Sequence, residues 1–599
     1  MLHASPASRD VVPDELELHA RSLRADAATP PADQPAAAST AATLAPEAPE
    51  TDETDERYED LLAGTDLLAG TEVDPLADPL AEAGPAPAAD AEEPPPGRHV
   101  RPAAIAQFIG RALAWVVPAV AMYVVGRVGI TRPVLGWDEM ATWNAAQRPV
   151  PKIMSLIANF DGVLAPYYLF MHWWMGIFGD SHLALRAPSL IAMTIAAALV
   201  ARIGTRLIDP FAGCIAGLLF AAVPAITRYA QDARPYGFAV LFATLATLLL
   251  VRAIERPTPR RFLPYAASVA LLGLANIVAL LLLVGHAVAV TWRLSTTRDR
   301  RLLWWPLAAA LGVAPAIPLI KLAMPQHDAM LAWIHVYDWQ VAAAAPGDIF
   351  GTTVAGLMIM GIALLARPAS RWVLAGLLTI AIVPPAALLL ASIGSHVWVP
   401  RYVLFTVVAW VLLAAFALRG TRVRAVLAVV LVAAVAMPAQ FELRADDAHI
   451  GPDNRLVSEF LRTHAQPGDG IIYAVEDLWS TRNGIEYYLG ADAPRDVLLF
   501  QSREDNNTLV DTECPDAAPC IGDTKRLWLY RCANGAEGLA HIGSAEQFLR
   551  LHTTMAERYT IGGCNLKLYV RDGEPAAWPQ EPVALHDPDA PTTRIIGED

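Results

Sequence analysis

The chain has 599 residues and a formal net charge of −15; 54% of it is hydrophobic and only 18% is charged. A soluble protein of this size carries about 25% charged residues. Low charge with a mean hydropathy of +0.36 points to a membrane protein and excludes a string of ordinary soluble domains or an extended disordered chain. The acidity is local: residues 1–97 hold 22 Asp/Glu, four Arg and no Lys, and the other 502 residues sum to +3.

Residues 1–97 are rich in Ala, Pro, Asp and Glu and nearly free of aromatics. Such a stretch buries too little apolar surface to offset its ordering entropy, so it is expected to be a disordered acidic tail. A six-residue repeat, Asp-Leu-Leu-Ala-Gly-Thr, starts at Asp60 and again at Asp66; low-complexity drift explains it better than a docking motif does. No secretory signal opens the chain, because the first apolar run follows Arg98, Arg101 and Arg111.

Apolar runs then recur near 110–129, 187–206, 211–229, 236–254, 262–276, 277–293, 302–320, 347–366, 372–392, 402–418 and 424–441. About 20 residues of helix cross a bilayer, so about eleven transmembrane helices are expected, with Asn276 as the turn between the two shortest. Arginines gather in alternate loops: Arg98/Arg101, Arg202/Arg206, Arg252/Arg256/Arg260/Arg261, Arg293/Arg298/Arg300/Arg301, Arg367/Arg371 and Arg419/Arg422/Arg424. The positive-inside bias makes that side cytoplasmic. The N-terminus is then inside, residues 98–441 form the membrane domain, and 442–572 lie outside.

Cysteine usage agrees with this topology. Four of the five Cys, Cys514, Cys520, Cys532 and Cys564, fall in the tail domain, where two disulfides suit an oxidising compartment and three pairings are open. Zinc is a weaker alternative, since no CxxC pair occurs. Cys214 sits in a span as a small buried residue. Ile471–Val475, Val497–Phe500, Leu527–Tyr530 and Leu566–Val570 read as strands, and Asn454–His464 and Ser480–Leu489 as helices. An extracytoplasmic α/β domain is expected over 442–572, with a loose Pro-rich tail at 573–599.

Ionisable residues are nearly absent from the spans, with His286 and Asn276 the main polar exceptions; His286 is expected to pack or to hydrogen-bond. Transporters need such groups at mid-membrane. Here polar residues crowd the outer loops instead. The first loop, about 130–186, contains Asp138-Glu139, a pair fit to bind a cation or act as a general base, then Asp161. Its aromatic run Pro166–Trp174 suggests a helix lying in the interface. Arg186 opens the next span from the outer side, where snorkelling and phosphate binding both suit it. The second outer loop compresses Arg228, Tyr229, Gln231, Asp232, Arg234 and Tyr236 into ten residues, and the arginine fork suits phosphate. The loop 321–346 brings Lys321, His327, Asp328, Trp333, His335, Tyr337, Asp338 and Trp339, and His396-Val-Trp398-Val-Pro400-Arg401-Tyr402 precedes the tenth span.

Asp-Glu in the first outer loop, Leu185-Arg186-Ala187-Pro188-Ser189, Arg228–Tyr236 and Pro400-Arg401-Tyr402-Val403-Leu404-Phe405 together resemble the GT-C glycosyltransferases. Arg-Tyr-Ala-Gln-Asp-Ala-Arg-Pro-Tyr in particular is similar to bacterial members related to glycosyltransferase family 39, the protein-O-mannosyltransferase-like and aminoarabinose-transferase-like enzymes. The resemblance spans about 100–420. It implies a polytopic helical GT-C-like fold and transfer of a mannose- or arabinose-like sugar, with inversion, from a polyprenyl-phosphate donor in the lipid bilayer. The acceptor is a glycan, a glycolipid or a protein, and no nucleic acid is expected.

By match, Asp138 is the base or the ligand of a divalent cation (Mg or Mn), and Glu139 is its catalytic neighbour. Arg228, Arg234 and Arg401 would take the donor phosphate, and Asp161, Arg186, Tyr229, Gln231, Tyr236 and Tyr402 would bind substrate. Relatives often carry Asp-x-His-Pro-Pro where this chain has Asp161-Gly162-Val163-Leu164-Ala165-Pro166. The missing His bears on metal dependence. It also keeps open a non-catalytic envelope-assembly protein of the same fold; a flippase is the third reading.

Overall fold

The computed structural model describes residues 102–573 except 328–330, 332–333, 335–337, 450, 475–477 and 533–542. The acidic tail over 1–97 lies outside these residues, as do Asp328, Trp333, His335, Tyr337 and the C-terminal end.

Helices dominate up to Glu442. Among the described residues, six are long and apolar enough to cross a membrane: His182–Leu207, Tyr236–Glu255, Val278–Thr297, Arg300–Gln326, Arg371–Ala391 and Arg422–Glu442. Two further expected spans are bent pairs, Pro210–Ala222 with Pro224–Ala230 at 69° and Trp339–Phe350 with Thr353–Ala363 at 84°; counting each as one gives eight. Three of the expected eleven therefore fall on shorter helices, Ala112–Arg127, Pro259–Ala275 and Thr406–Leu418. The bends have local causes. Pro224 brings no N–H to the ladder after Val223, and Gly351 adopts a left-handed φ of 81° that ends its helix. Asn276 marks the turn, its Oδ1 accepting from Ala279 N–H at 3.2 Å.

Close helix packing rests on small residues. A Cβ on Gly213 would meet Ala201 O at 2.4 Å, so His182–Leu207 and Pro210–Ala222 touch backbone to backbone. Val423, Leu427, Val430 and Leu431 stay exposed on Arg422–Glu442, an apolar outer face suited to lipid. His286 closes a relay of side chains from four helices. Trp305 Nε1 donates to Tyr265 Oη (2.9 Å), Tyr265 Oη lies 3.0 Å from His286 Nδ1, and His286 Nε2 lies 3.2 Å from Thr247 Oγ1. Each polar atom of this relay has its partner, which is what an apolar interior requires.

The first outer loop is itself helical: Trp137–Gln147, Val150–Asn159 and Ala165–Phe178. The last is two-faced. Tyr167, Tyr168 and Met171 are buried, whereas Trp173, Ile177 and Phe178 are exposed.

Beyond Glu442 the chain forms a five-stranded mixed sheet. Its strands are β1 (Gly470–Tyr473), β2 (Arg495–Asp496), β5 (Arg526–Arg531), β6 (Thr553–Ile561) and β7 (Cys564–Arg571), in the order β2-β1-β5-β7-β6; β3 (Leu499–Gln501) and β4 (Thr512–Glu513) pair separately. Parallel β1–β5 and antiparallel β5–β7 form the centre. Helices Asn454–His464 and Leu478–Leu489 flank the sheet. The sequence reading misses β6, although Gly562-Gly563, both at positive φ, form the turn that pairs it with β7. The disulfides are Cys514–Cys520 and Cys532–Cys564, and Cys214 is free.

This module packs on the first-loop helices. Leu509 is buried among Leu135, Met140, Trp143 and Tyr168. Arg148 Nη2 donates to Thr508 O (2.7 Å), and Lys152 Nζ lies 3.3 Å from Asp505.

Candidate active site

Gly136 ends the extended entry to the helix Trp137–Gln147, and Asp138 and Glu139 fall in its first turn, where the positive end of the helix dipole favours carboxylates. One helical step, about 100°, separates their fates.

Glu139 turns into the core and is 1% exposed. Its carboxylate accepts from Gly136 N–H (3.1 Å), Ala233 N–H (3.0 Å), Arg186 Nε and Nη2 (2.7 Å each) and His449 Nδ1 (2.6 Å). Burial alone would raise its pKa; the Arg186 guanidinium and His449 hold it well below the usual carboxylate range. Arg186, fully buried, spends its remaining donors on the carbonyls of Ile130, Pro133 and Val134. This ion pair locks four segments together. Both Glu139 oxygens and all the Arg186 donors are thus engaged within the protein, whereas the sequence reading gives these residues catalytic and substrate-binding roles. Gln231 is likewise structural, its Nε2 donating to Gly126 O (2.8 Å) and Val128 O (3.0 Å) at the end of the first span.

Asp138 faces the other way and keeps 41% of its side-chain surface, although protein surrounds it densely. Its Oδ1 lies 3.4 Å from Arg234 Nη2 and its Oδ2 lies 3.3 Å from Arg401 Nη2. Burial pushes its pKa up, but Arg234, Arg401 and Arg228 together bring it below the ordinary value. Arg401 Nε donates to Tyr236 Oη (2.9 Å), and its guanidinium lies 5.5 Å from the centroid of that ring. Tyr236 also meets Tyr229 (5.4 Å between centroids) and Tyr402 (6.2 Å). Arg228 lies over Tyr229 and 4.0 Å from Asp232. Burial, with Glu139 and Asp138 nearby, pushes the Asp232 carboxyl up to about 6 despite Arg228.

Asp161 stands close enough to feel the charges of Arg234 and Asp138, and burial raises its pKa. It adopts a left-handed φ of 54°, a strained conformation for a non-glycine residue. Two bonds hold it: Tyr168 Oη donates to its Oδ2 (2.6 Å), and Gly162 N–H donates to Gln326 Oε1 (2.9 Å). The structure thus gathers Asp138, Asp161, Arg228, Arg234, Arg401, Tyr229, Tyr236 and Tyr402, and separates Glu139, Arg186 and Gln231 from them. Sequence reading misses Tyr168 and His449. Tyr168 lies within the aromatic run read as interfacial, and His449 carries no local signal.

A divalent cation does not fit at Asp138 in this arrangement, because both oxygens already face guanidinium groups. Glu139, Asp232 and His449 bring one ligand atom each within 4.8 Å of one another. There too the Glu139 oxygens and both His449 nitrogens are engaged, and Arg186 and Arg228 already supply the positive charge.

Residues 165–321 match the sequence model of the family described as dolichyl-phosphate-mannose-protein mannosyltransferase. The match takes in Leu185–Ser189 and Arg228–Tyr236 and leaves Asp138 and Arg401 outside. No curated protein matches. Two crystal structures of ArnT from Cupriavidus metallidurans, one apo and one bound to undecaprenyl phosphate, are similar in fold. Their identities are 13% and 14%, each comparison covers 76% of this chain and 98% of the other, and the TM-score is 0.51 in both. Fold and family match agree with the resemblance read from the four short motifs.

Proposed function

We propose that this chain, a membrane glycosyltransferase of the GT-C superfamily, moves a mannose- or arabinose-like sugar from a polyprenyl-phosphate donor to an acceptor hydroxyl outside the cytoplasm. The N-terminal tail is cytoplasmic and the α/β module is extracytoplasmic. The undecaprenyl phosphate in the ArnT structure supports the lipid part of the donor. The observation that carries the reading is one partly exposed carboxylate, Asp138, set between Arg234 and Arg401 within a wall of tyrosines.

The acceptor oxygen attacks the anomeric carbon, the bond to the phosphate breaks, and the configuration inverts. Asp138 takes the acceptor proton. Arg234, Arg401 and Arg228 stabilise the charge that grows on the departing lipid phosphate. A donor phosphate would draw the two guanidiniums away from Asp138. Its carboxylate would then lose the partners that depress its pKa and become a better base as the donor arrives. Asp161, held by the buried Tyr168, would position a sugar hydroxyl. The acceptor is a glycan, a glycolipid or a protein.

The test uses membranes carrying the protein and radiolabelled polyprenyl-phosphate sugars. One donor should be consumed, and Asp138→Asn should abolish transfer while accumulating normally. Transfer at the full rate by that variant would refute the assignment of Asp138 as base.

A further inference from the structure

His449 stands at the rim of the arginine cluster with no part in the chemistry so far. It lies in the connector that leaves the helix Arg422–Glu442 and leads to the sheet module. That connector runs along the first outer loop: Arg444 Nη2 donates to Val125 O (2.7 Å), and Val134 N–H donates to Asp446 O (3.1 Å). The His449 side chain is 1% exposed.

Its two neighbours fix its protonation. Nε2 lies 2.9 Å from Arg228 Nη1. A guanidinium has donors only, so Nε2 must be the unprotonated acceptor. The neutral ring then carries its hydrogen on Nδ1 and donates it to Glu139 Oε2 at 2.6 Å. Arg186 Nη2, 3.1 Å from Nδ1, does not contradict this, because its two hydrogens already serve Glu139 Oε2 (2.7 Å) and Val134 O (2.9 Å).

The chemical consequence concerns Arg228. A carboxylate in the place of His449 would orient the guanidinium and also neutralise it. A neutral imidazole nitrogen orients it without adding negative charge to that of Asp232, which already lies 4.0 Å away, and so leaves part of its charge for another anion. Glu139, itself anchored by Arg186 and two backbone amides, fixes the ring from behind. We infer that His449 is a positioning residue for the donor phosphate: it aims Arg228 into the site through Nε2 and ties the post-membrane connector to the phosphate cluster. This rests on the proposed polyprenyl-phosphate reading of the site.

Two substitutions separate the ring's two bonds. His449→Asn places an amide nitrogen near Nδ1, which keeps the donor to Glu139 and removes the acceptor for Arg228. His449→Gln places an amide oxygen near Nε2 and does the reverse. The full-length protein in detergent is titrated with undecaprenyl phosphate. The unsubstituted protein should bind, and H449Q should stay within about threefold of it. H449N should bind about tenfold more weakly, the loss of one hydrogen bond to a charged group. Arg228→Ala should show a similar loss, and the double variant R228A/H449N should be no weaker than R228A.

H449N binding like the unsubstituted protein, or H449Q losing more than H449N, overturns the inference, since His449 then serves only Glu139. If neither His449 variant folds, Arg228→Lys carries the test. It keeps the charge and lacks the second nitrogen that His449 holds, so it should bind more weakly than the unsubstituted protein though less weakly than R228A, and unchanged binding overturns the inference. No binding by the unsubstituted protein overturns the reading of the site itself. Binding that is lost in R228A but indifferent to His449 overturns this inference alone.

Discussion

On the proposed function, a donor phosphate competes with Asp138 for the guanidiniums of Arg234 and Arg401. Asp138→Asn should therefore have opposite effects on binding and on turnover. The pairs with Arg234 and Arg401 span 3.4 and 3.3 Å, but the Asp138 side chain is 41% exposed, so each pair is worth about 0.5–1 kcal/mol after solvent screening. Releasing both arginines makes about 1–2 kcal/mol available to an incoming phosphate. Because 1.4 kcal/mol is about tenfold in affinity, D138N should bind undecaprenyl phosphate about tenfold more tightly than the unsubstituted protein. The gain should shrink as salt is raised. Sugar transfer by the same preparation should be lost. Binding by D138N that is unchanged or weaker would refute the competition between carboxylate and phosphate, whatever happens to turnover.

Five other outcomes are expected. Arg401→Ala should raise the donor KM about tenfold and the acceptor KM much less, read from initial rates at varied concentrations of each. Glu139→Gln removes the charge that pairs with fully buried Arg186 and should cost about 3–5 kcal/mol, seen as poor accumulation and a lower thermal midpoint. His449 is held by burial at a pKa of about 4, against an ordinary value near 6.5. The unfolded chain therefore binds a proton between these values that the folded chain does not. Its contribution is intact above pH 6.5 and falls as the pH drops toward 4, by on the order of 2 kcal/mol at pH 5. H449N should lose less stability than the unsubstituted protein between pH 7 and pH 5. Thiol labelling of the native protein should miss Cys514, Cys520, Cys532 and Cys564 until reduction, and removing Cys532–Cys564, with a sequence separation of 32, should cost about 2–4 kcal/mol.

Charges at the edges of apolar runs are conspicuous, so Arg228, Arg234 and Arg401 could be read from the sequence as one group. The motif match points to the Asp138-Glu139 pair, but the sequence cannot tell which way each carboxylate faces. Only the direction of the helix that begins at Gly136 turns one carboxylate toward Arg234 and Arg401 and the other into the core. Arg186 looks like a phosphate ligand because an outer arginine at a helix start has no local explanation. Its explanation is Glu139, 47 positions earlier. His449 carries no motif of its own, and its partner Glu139 is 310 positions away. Bends at Pro224 and Gly351 are hidden too, because hydropathy counts residues and does not register direction.

The fit of Leu509 and Thr508 against the first-loop helices sets an order of events in synthesis. Arg148 completes its bond to Thr508 O across 360 residues, and the apolar cluster of the loop that carries Asp138 is filled by Leu509. The segment that bears Asp138 is made early and stays without its covering residues while the remaining spans are made. A nascent chain would thus hold this loop without its covering residues until the sheet module folds.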